Sequence, residues 1–294
     1  MKRNPQIASS TLAAYTELTK PRITYLILVS TALGYFLGAE GIDDIWKFLM
    51  CLLGSSFVSA GSGALNHYME INSDALMDRT RFRPLPSGLI KPNSARFFGL
   101  TLILIGALIL LYFTNLLTAI LAIITVLLYL LVYTPLKKIT WLNTSIGAIP
   151  GAIPPLGGWT AATGELQPES WILFGILYFW QHPHFYAIAF MYKKDYKRAG
   201  YQMLPVLDIK GSRTNRQIIW HSLLLIPISL MPSYIGLLGS IYLCGALTLG
   251  LIYFFSGFPL IKNYSLNNAK LLLRVSVFYL PILFCFIVID KIIF

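Results

Sequence analysis

A chain of 294 residues that is 56% hydrophobic and 12% charged, with a mean hydropathy of +0.67, carries too much apolar surface for an ordinary water-soluble domain. Its apolar runs approach the length of a helix that crosses a hydrocarbon core, and no series of short alternating segments suggests a β-barrel. The expected fold is therefore an all-α, polytopic membrane helical bundle, embedded in a lipid bilayer as one domain over residues 1–294.

About nine apolar runs lie near residues 23–40, 46–66, 95–113, 116–134, 141–160, 169–190, 217–233, 236–256 and 271–289. A net charge of +11 would suit nucleic acid, but its placement argues against that partner. If residues 1–20 form a cytoplasmic tail, every one of the 23 basic residues except Lys47 and Lys291 falls on the cytoplasmic side, a strong positive-inside bias. The opening segment has no apolar core followed by a small-residue cleavage site, so insertion is expected to use the first span itself. Cys51, Cys244 and Cys285 all lie in apolar runs without metal-ligand spacing.

The first span begins at Lys20-Pro21-Arg22, where Pro21 suits the first helical position. The second span carries Gly54, Gly61 and Gly63, which permit close helix approach, and leads into NHYMEINSDALMDRTRFRPLPSG at 66–88. On a helix, Asn66, Glu70 and Asp74 recur every four positions, each about 6 Å further along the axis and about 40° further round it. Two carboxylates and an amide oxygen on one stripe suit Mg²⁺, which takes oxygen ligands and shares them with substrate phosphates. Arg79, Arg81 and Arg83 add the forked donors that phosphate oxygens accept. In a soluble protein such a cluster reads as a solvated helix end. At the edge of a bilayer acids are costly and mark a site.

The third and fourth spans turn near Thr114-Asn115, and the Pro- and Gly-rich stretch from Tyr133 to Trp159 must be kinked. It reads either as a wall of a substrate groove or as a packing hinge. The sixth span enters a second polar cluster, FWQHPHFYAIAFMYKKDYKRAGYQMLPV at 179–206, with Asp195 at its end. An acidic helix end in each half of the chain suggests a duplicated bundle whose polar sites converge. His182 and His184 stand about 200° apart on a regular helix, so only one can face a groove. If that helix continues, His184 and Asp195 share nearly one face, about three turns apart. His67 and His221 read as hydrogen-bonding residues between helices. Asp290 stands alone near the far end.

Taken together, TKPR at 19–22, N-x-x-x-E-x-x-x-D at 66–74, M-x-R-T-x-x-R-P-L at 77–85, YTPLKK at 133–138, WQHPHF at 180–185, KDYKRAG at 194–200 and MLPV at 203–206 resemble the UbiA superfamily of intramembrane prenyltransferases. Two departures narrow the resemblance. Glu70 stands where the superfamily often has Asp, and Asp195 is followed four residues later by Ala199 rather than a second Asp, which is similar to the haem-modifying branch.

The resemblance implies transfer of a farnesyl group from farnesyl diphosphate to a vinyl group of haem b, giving haem O. It also implies Mg²⁺ on Asn66, Glu70, Asp74 and Asp195, with Arg79 and Arg83 completing the catalytic set and Lys20, Arg22, Lys137 and Lys194 binding substrate. Trp180, Phe185, Tyr186 and Tyr133 would line the site, and His184, ahead of His182, would bind haem iron or a propionate. The protein partners implied are a haem A synthase or a terminal oxidase assembly, and the location is the cell inner (plasma) membrane. A prenyltransferase acting on a quinone-ring precursor would share the diphosphate chemistry, but the W-x-x-P-H-F stretch speaks against it. A transporter or haem-handling protein without catalysis would place its charged groups near mid-bilayer rather than at the edge.

Overall fold

Residues 10–293 are described by the computed structural model, so Lys2 and Arg3 of the expected tail lie outside the described residues. In chain order the helices are α1 (Thr11–Leu18), α2 (Pro21–Gly38), α3 (Ile45–Met69), α4 (Ile71–Ala75), α5 (Pro92–Phe113) and α6 (Leu116–Leu127). A π-helical turn at Leu128–Tyr133 runs into α7 (Thr134–Leu136), followed by α8 (Asn143–Ala152), α9 (Pro154–Thr163), α10 (Pro168–Met191) and α11 (Lys193–Arg198). The chain closes with α12 (Leu204–Leu207), α13 (Ser212–Tyr234), α14 (Ser240–Ser256), α15 (Phe258–Lys262) and α16 (Leu266–Ile293).

Among the described residues, 5 helices are long and apolar enough to cross a membrane: Ile45–Met69, Pro92–Phe113, Leu116–Leu136, Ser240–Lys262 and Leu266–Ile293. The other apolar runs form shorter, broken or less apolar helices. The kink expected between Tyr133 and Trp159 falls at Ile153, where α8 stops and Pro154-Pro155 start α9. Two other expectations of unbroken helix fail. Glu70 leaves helical geometry at φ −100° and ψ 9°, and Tyr192, at φ −105° and ψ 24°, ends α10 before Asp195. The single-helix register expected for His184 and Asp195 therefore does not hold.

The contacts group the chain into two compact units, and these do not follow its two halves. The first comprises residues 10–139, Ile153–Glu165 and Asp195–Tyr201, so both acidic segments belong to it. Its tightest seam joins α3 to α5. Gly54 lies against Gly106 and Gly61 against Gly99, and a Cβ added at Gly61 would stand 2.5 Å from the Gly99 carbonyl oxygen. Among apolar helices in lipid, such backbone proximity supplies van der Waals attraction that a hydrophobic effect does not. Asn115 fixes the turn into α6. Its side chain accepts from the Thr118 N–H at 2.8 Å and donates to the Thr160 carbonyl of α9 at 2.6 Å.

The second unit comprises Thr140–Ala152, Leu166–Lys194 and residues 202–293, with α10 packed on α8, α13 and α16, and α14 packed on α13 and α16. Here Asp290 receives a structural explanation. Its buried carboxylate accepts the N–H groups of Gly239 and Tyr242, so α16 caps the otherwise unsatisfied start of α14. Asp208 does the same for α13 through the Thr214 N–H at 2.7 Å.

Candidate active site

The end of α3 supplies the centre of the polar cluster in the first unit. Although the helix breaks at Glu70, the Glu70 N–H still donates to the Asn66 carbonyl at 3.0 Å and the Asp74 N–H to the Glu70 carbonyl at 2.8 Å. The four-residue spacing therefore survives the change from α3 to α4, and Asn66, Glu70 and Asp74 are all buried.

Each is met by a cation from elsewhere in the chain. Lys20 Nζ donates to Asn66 Oδ1 at 2.5 Å, Lys137 Nζ to Glu70 Oε1 at 2.7 Å, and Arg83 Nη1 to Asp74 Oδ2 at 2.8 Å. The orientation of Asn66 follows from a proton count. The Thr134 hydroxyl donates to the Tyr129 carbonyl at 2.9 Å, so its oxygen accepts the Asn66 Nδ2–H at 3.0 Å and leaves the amide oxygen facing Lys20. Lys20 itself caps α2 at φ 50°, a left-handed conformation that costs a residue with a Cβ about 1 kcal/mol.

The π-helical turn is the local device that sequence periodicity misses. It closes the chain so that Tyr129 and Tyr133 stack at 5.9 Å, Tyr129 accepts from Lys20 at 3.2 Å, and the Lys137 ammonium sits 4.7 Å from the centre of the Tyr133 ring. Tyr201 is a second missed residue. Its hydroxyl donates to the same Glu70 oxygen as Lys137, at 2.9 Å. The only sequence signal for it is its place immediately after KDYKRAG.

Asp195 belongs to an adjoining set. It accepts from Arg198 and, at 3.4 Å, from the Asp78 N–H, while the Arg198 guanidinium also donates to the Asp78 carboxylate at 2.5 Å. Arg198 stands three residues after Asp195, one helical turn on. Arg79 is exposed and donates to the Tyr196 hydroxyl at 3.4 Å; Arg81 pairs with Asp78 at 3.8 Å on the surface. Arg22 and Lys194 are exposed. His67 departs from the expected hydrogen-bonding role: it is buried, its Nδ1 has no partner, and it stands 4.0 Å from Asp74 Oδ2.

Burial and neighbouring charge set the proton affinities. Burial alone would raise the Glu70 carboxyl, but Lys137 and Lys20 outweigh it and hold the group below its ordinary range. Burial alone would lower the Lys137 ammonium, and the Glu70 carboxylate reverses this and raises it. Lys20 is less well compensated. Burial pushes it down to about 7, with Glu70 opposing and Arg83 and Lys137 reinforcing the shift.

Whether these residues suit a divalent cation can be judged from their donors. Among the described residues, no three His, Cys, Asp or Glu side chains converge on one point. The chemistry still fits Mg²⁺, because two carboxylates and an amide oxygen leave positions for phosphate or water, and the buried Asp74 Oδ1 has no hydrogen-bond partner.

The second unit carries the histidines. In α10, His182 and His184 diverge as their spacing requires. His182 Nε2 lies 3.1 Å from Ser145 Oγ, and its ring stacks on His221 at 3.7 Å, while His184 Nδ1 lies 2.8 Å from Ser276 Oγ. The Ser276 hydroxyl donates to the Leu273 carbonyl at 2.7 Å, so His184 must donate through Nδ1, which leaves Nε2 as the lone-pair nitrogen. Trp180 stacks on His184 at 4.8 Å and is itself fixed by donation from Nε1 to the Ser276 carbonyl at 2.9 Å. Phe185 is half-buried and Tyr186 fully buried. His221 Nδ1 donates to the Gln217 carbonyl within its own helix, at 2.7 Å.

Residues 27–280 match the model of the UbiA prenyltransferase family. The chain belongs to the UbiA prenyltransferase family. Within it, a protoheme IX farnesyltransferase of Solibacter usitatus is 45% identical over 94% of this chain and 98% of its own length, and one of Koribacter versatilis is 42% identical over 96% and 94%. Among solved structures, a digeranylgeranylglyceryl phosphate synthase superposes with a TM-score of 0.81 at 22% identity, covering 96% of this chain and 99% of the other. A UbiA homologue of Archaeoglobus fulgidus bound to DMAPP and Mg²⁺ superposes at 0.68 with 17% identity, covering 93% and 99%. This UbiA-family chain is a multi-pass membrane protein.

The Lys20 environment generates a pH prediction. An ammonium whose folded pKa lies near 7 rather than 10.5 costs stability in full below about pH 7. The cost is relieved as pH rises toward 10.5, because there the unfolded chain still holds the proton that the folded chain has lost. In detergent, the melting temperature of the protein relative to Lys20→Met should therefore climb between pH 7 and pH 9.5. A flat difference across that interval contradicts the assignment.

Proposed function

We propose that this protein transfers a farnesyl group from farnesyl diphosphate to a vinyl group of haem b, with addition of water, to give haem O. The observation that carries this reading is the buried cluster in which Lys20, Arg83 and Lys137 face Asn66, Glu70 and Asp74, in a chain whose full-length relatives are protoheme IX farnesyltransferases. The same reading places the N-terminus and the cluster on the cytoplasmic side of the cell inner membrane, which the distribution of lysine and arginine supports.

Mg²⁺, held by Asn66, Glu70, Asp74 and Asp195, would supply positive charge against the diphosphate. Exposed Arg22, Arg79 and Lys194 attract the anion, and Arg83, Lys137 and Lys20 meet its oxygens where water is scarce and charge acts strongly. As the allylic C–O bond breaks, its electron pair leaves with the diphosphate and an allylic cation remains. The π pair of the haem vinyl group forms the new C–C bond, and the cation this creates is captured by water, which loses a proton to leave a hydroxyl. Protein contributes no covalent nucleophile. The Tyr133 ring face favours the passing positive charge, and the apolar helices keep water from capturing the first cation. His184, with Nδ1 committed to Ser276, presents Nε2 to haem iron.

Purified protein given haem b, farnesyl diphosphate and Mg²⁺ should yield a product with the mass of haem O. Glu70→Gln and Asp74→Asn should fold and insert but turn over at least about a hundredfold more slowly, the scale of losing one transition-state charge partner; unaltered Mg²⁺-dependent rates would remove both acids from the site. His184→Ala should weaken haem binding, read spectroscopically, while leaving farnesyl diphosphate affinity nearly unchanged. If it lowers only thermal stability, with both affinities intact, His184 is a packing residue. For orientation, a cysteine placed at exposed Ser87 should resist an impermeant thiol reagent in intact cells and react after lysis; labelling before lysis inverts the topology.

A further inference from the structure

Helices α14 and α16 of the second unit pack together, and each forms or lies within a segment long and apolar enough to cross a membrane. Between them runs a groove of about 220 Å³, walled by Leu249 and Ile252 of α14 and by Val275, Phe278 and Ile282 of α16. Arg274 is the lining residue nearest the start of α16. Phe278 is 63% exposed and Ile252 50%, so the groove opens outward rather than into the packed interior.

The charge beside it is unbalanced. Arg274 is exposed, and among the described residues it takes part in no ion pair. Lys270 is also exposed and stands one turn earlier on the same face of α16. Their depth along the helix explains why the two belong together. Asp290, at the other end of α16, is about 30 Å from Lys270 and about 24 Å from Arg274 along the axis, so the basic pair lies at the opposite edge of a hydrocarbon core about 30 Å thick. Arg274 at that edge has no carboxylate partner among the described residues, and the exposed walls of the groove that starts beside it are apolar.

We propose that this groove is a binding site for an anionic phospholipid, whose phosphate rests on Arg274 and Lys270 while one acyl chain lies along Phe278 and Ile282. The forked guanidinium takes two phosphate oxygens, and the chain fills a slot that would otherwise hold mobile lipid. A neutral phospholipid offers the same acyl chain but no net negative charge to the basic pair.

The test uses the full chain in phosphatidylcholine nanodiscs, with a trace of phosphatidylglycerol carrying a photoreactive acyl chain, compared with phosphatidylcholine carrying the same chain. Phosphatidylglycerol should label residues 249–252 and 275–282 at least about fivefold more, the scale of one basic residue acting on an anionic headgroup. In the doubly substituted Lys270→Gln, Arg274→Gln protein, labelling should fall to the phosphatidylcholine level, whereas Arg274→Lys should keep most of it. Ile252→Trp, which fills the groove, should reduce labelling by both lipids. Equal labelling by the two lipids in the unsubstituted protein, or unchanged labelling in the double variant, overturns the proposal. Displacement of the label by added farnesyl diphosphate also overturns it, since the groove would then take the diphosphate.

Discussion

A carboxylate buried in an apolar helical protein must have a cation beside it or become neutral, and Glu70 obliges much of the first unit to satisfy that condition. Its partner Lys137 stands 67 residues away in the sequence and Tyr201 stands 131 away, yet both donate to one oxygen. Lys20 approaches from the foot of α2 and Arg83 from the turns after α4. The start of the first apolar helix, the end of the second, the π-helical turn and the segment after Asp195 are thus tied to one small volume. Removing one cation would leave a buried acid uncompensated, which costs more than the pair itself contributes to stability. This asymmetry explains why so polar an assembly can persist among helices whose other contacts are apolar.

The helices were legible because long apolar runs suit burial in lipid, and those runs fall mainly on helix, although the one at 141–160 breaks at Ile153. Breaks in hydrogen-bond register were less visible. Neither the interruption at Glu70 nor the one at Tyr192 falls on glycine or proline, and the π-helical turn LYLLVY is as apolar as the helix before it. The polar residues of the candidate site stood out, since Asn66, Glu70 and Asp74 interrupt an apolar stretch. Their partners did not. Tyr129, Thr134 and Tyr201 are ordinary residues in sequence and acquire a role only through contacts made across the fold. Arg198 was countable as a basic residue, but nothing in its spacing disclosed that it would bridge Asp195 and Asp78.

The histidines separate two kinds of inference. Spacing alone required His182 and His184 to point in different directions, and they do. Choosing between them required proton counting. His182 meets the backbone of its own helix at Tyr178, Ser145 on its other nitrogen and the stacked ring of His221, so every face of it is engaged. His184 has one nitrogen fixed by Ser276 and its ring supported by Trp180, whose peptide carbonyl in turn accepts from the Tyr253 hydroxyl at 3.0 Å. A side chain oriented in this way, with its second nitrogen as a lone-pair donor, has the form of a metal-ligating histidine held by outer partners.

The cation excess around Glu70 and Asp74 gives the site its direction. Two carboxylates are matched there by Arg83 and Lys137, and Lys20, directed at a neutral amide oxygen, is the third cation without an acid of its own. Its proton affinity is lowered mainly by burial, with Arg83 and Lys137 adding to the shift and Glu70 opposing it. On the proposed function, a diphosphate would bring the negative charge that the cluster lacks, so binding it would relieve the repulsion among Lys20, Arg83 and Lys137 instead of adding to an already balanced network. Bond cleavage would then concentrate further negative charge on the leaving diphosphate, and the same cations would gain more from it than from the intact substrate. Stabilisation that grows along the reaction in this way accelerates the chemical step, whereas equal attraction for substrate and transition state would only tighten binding.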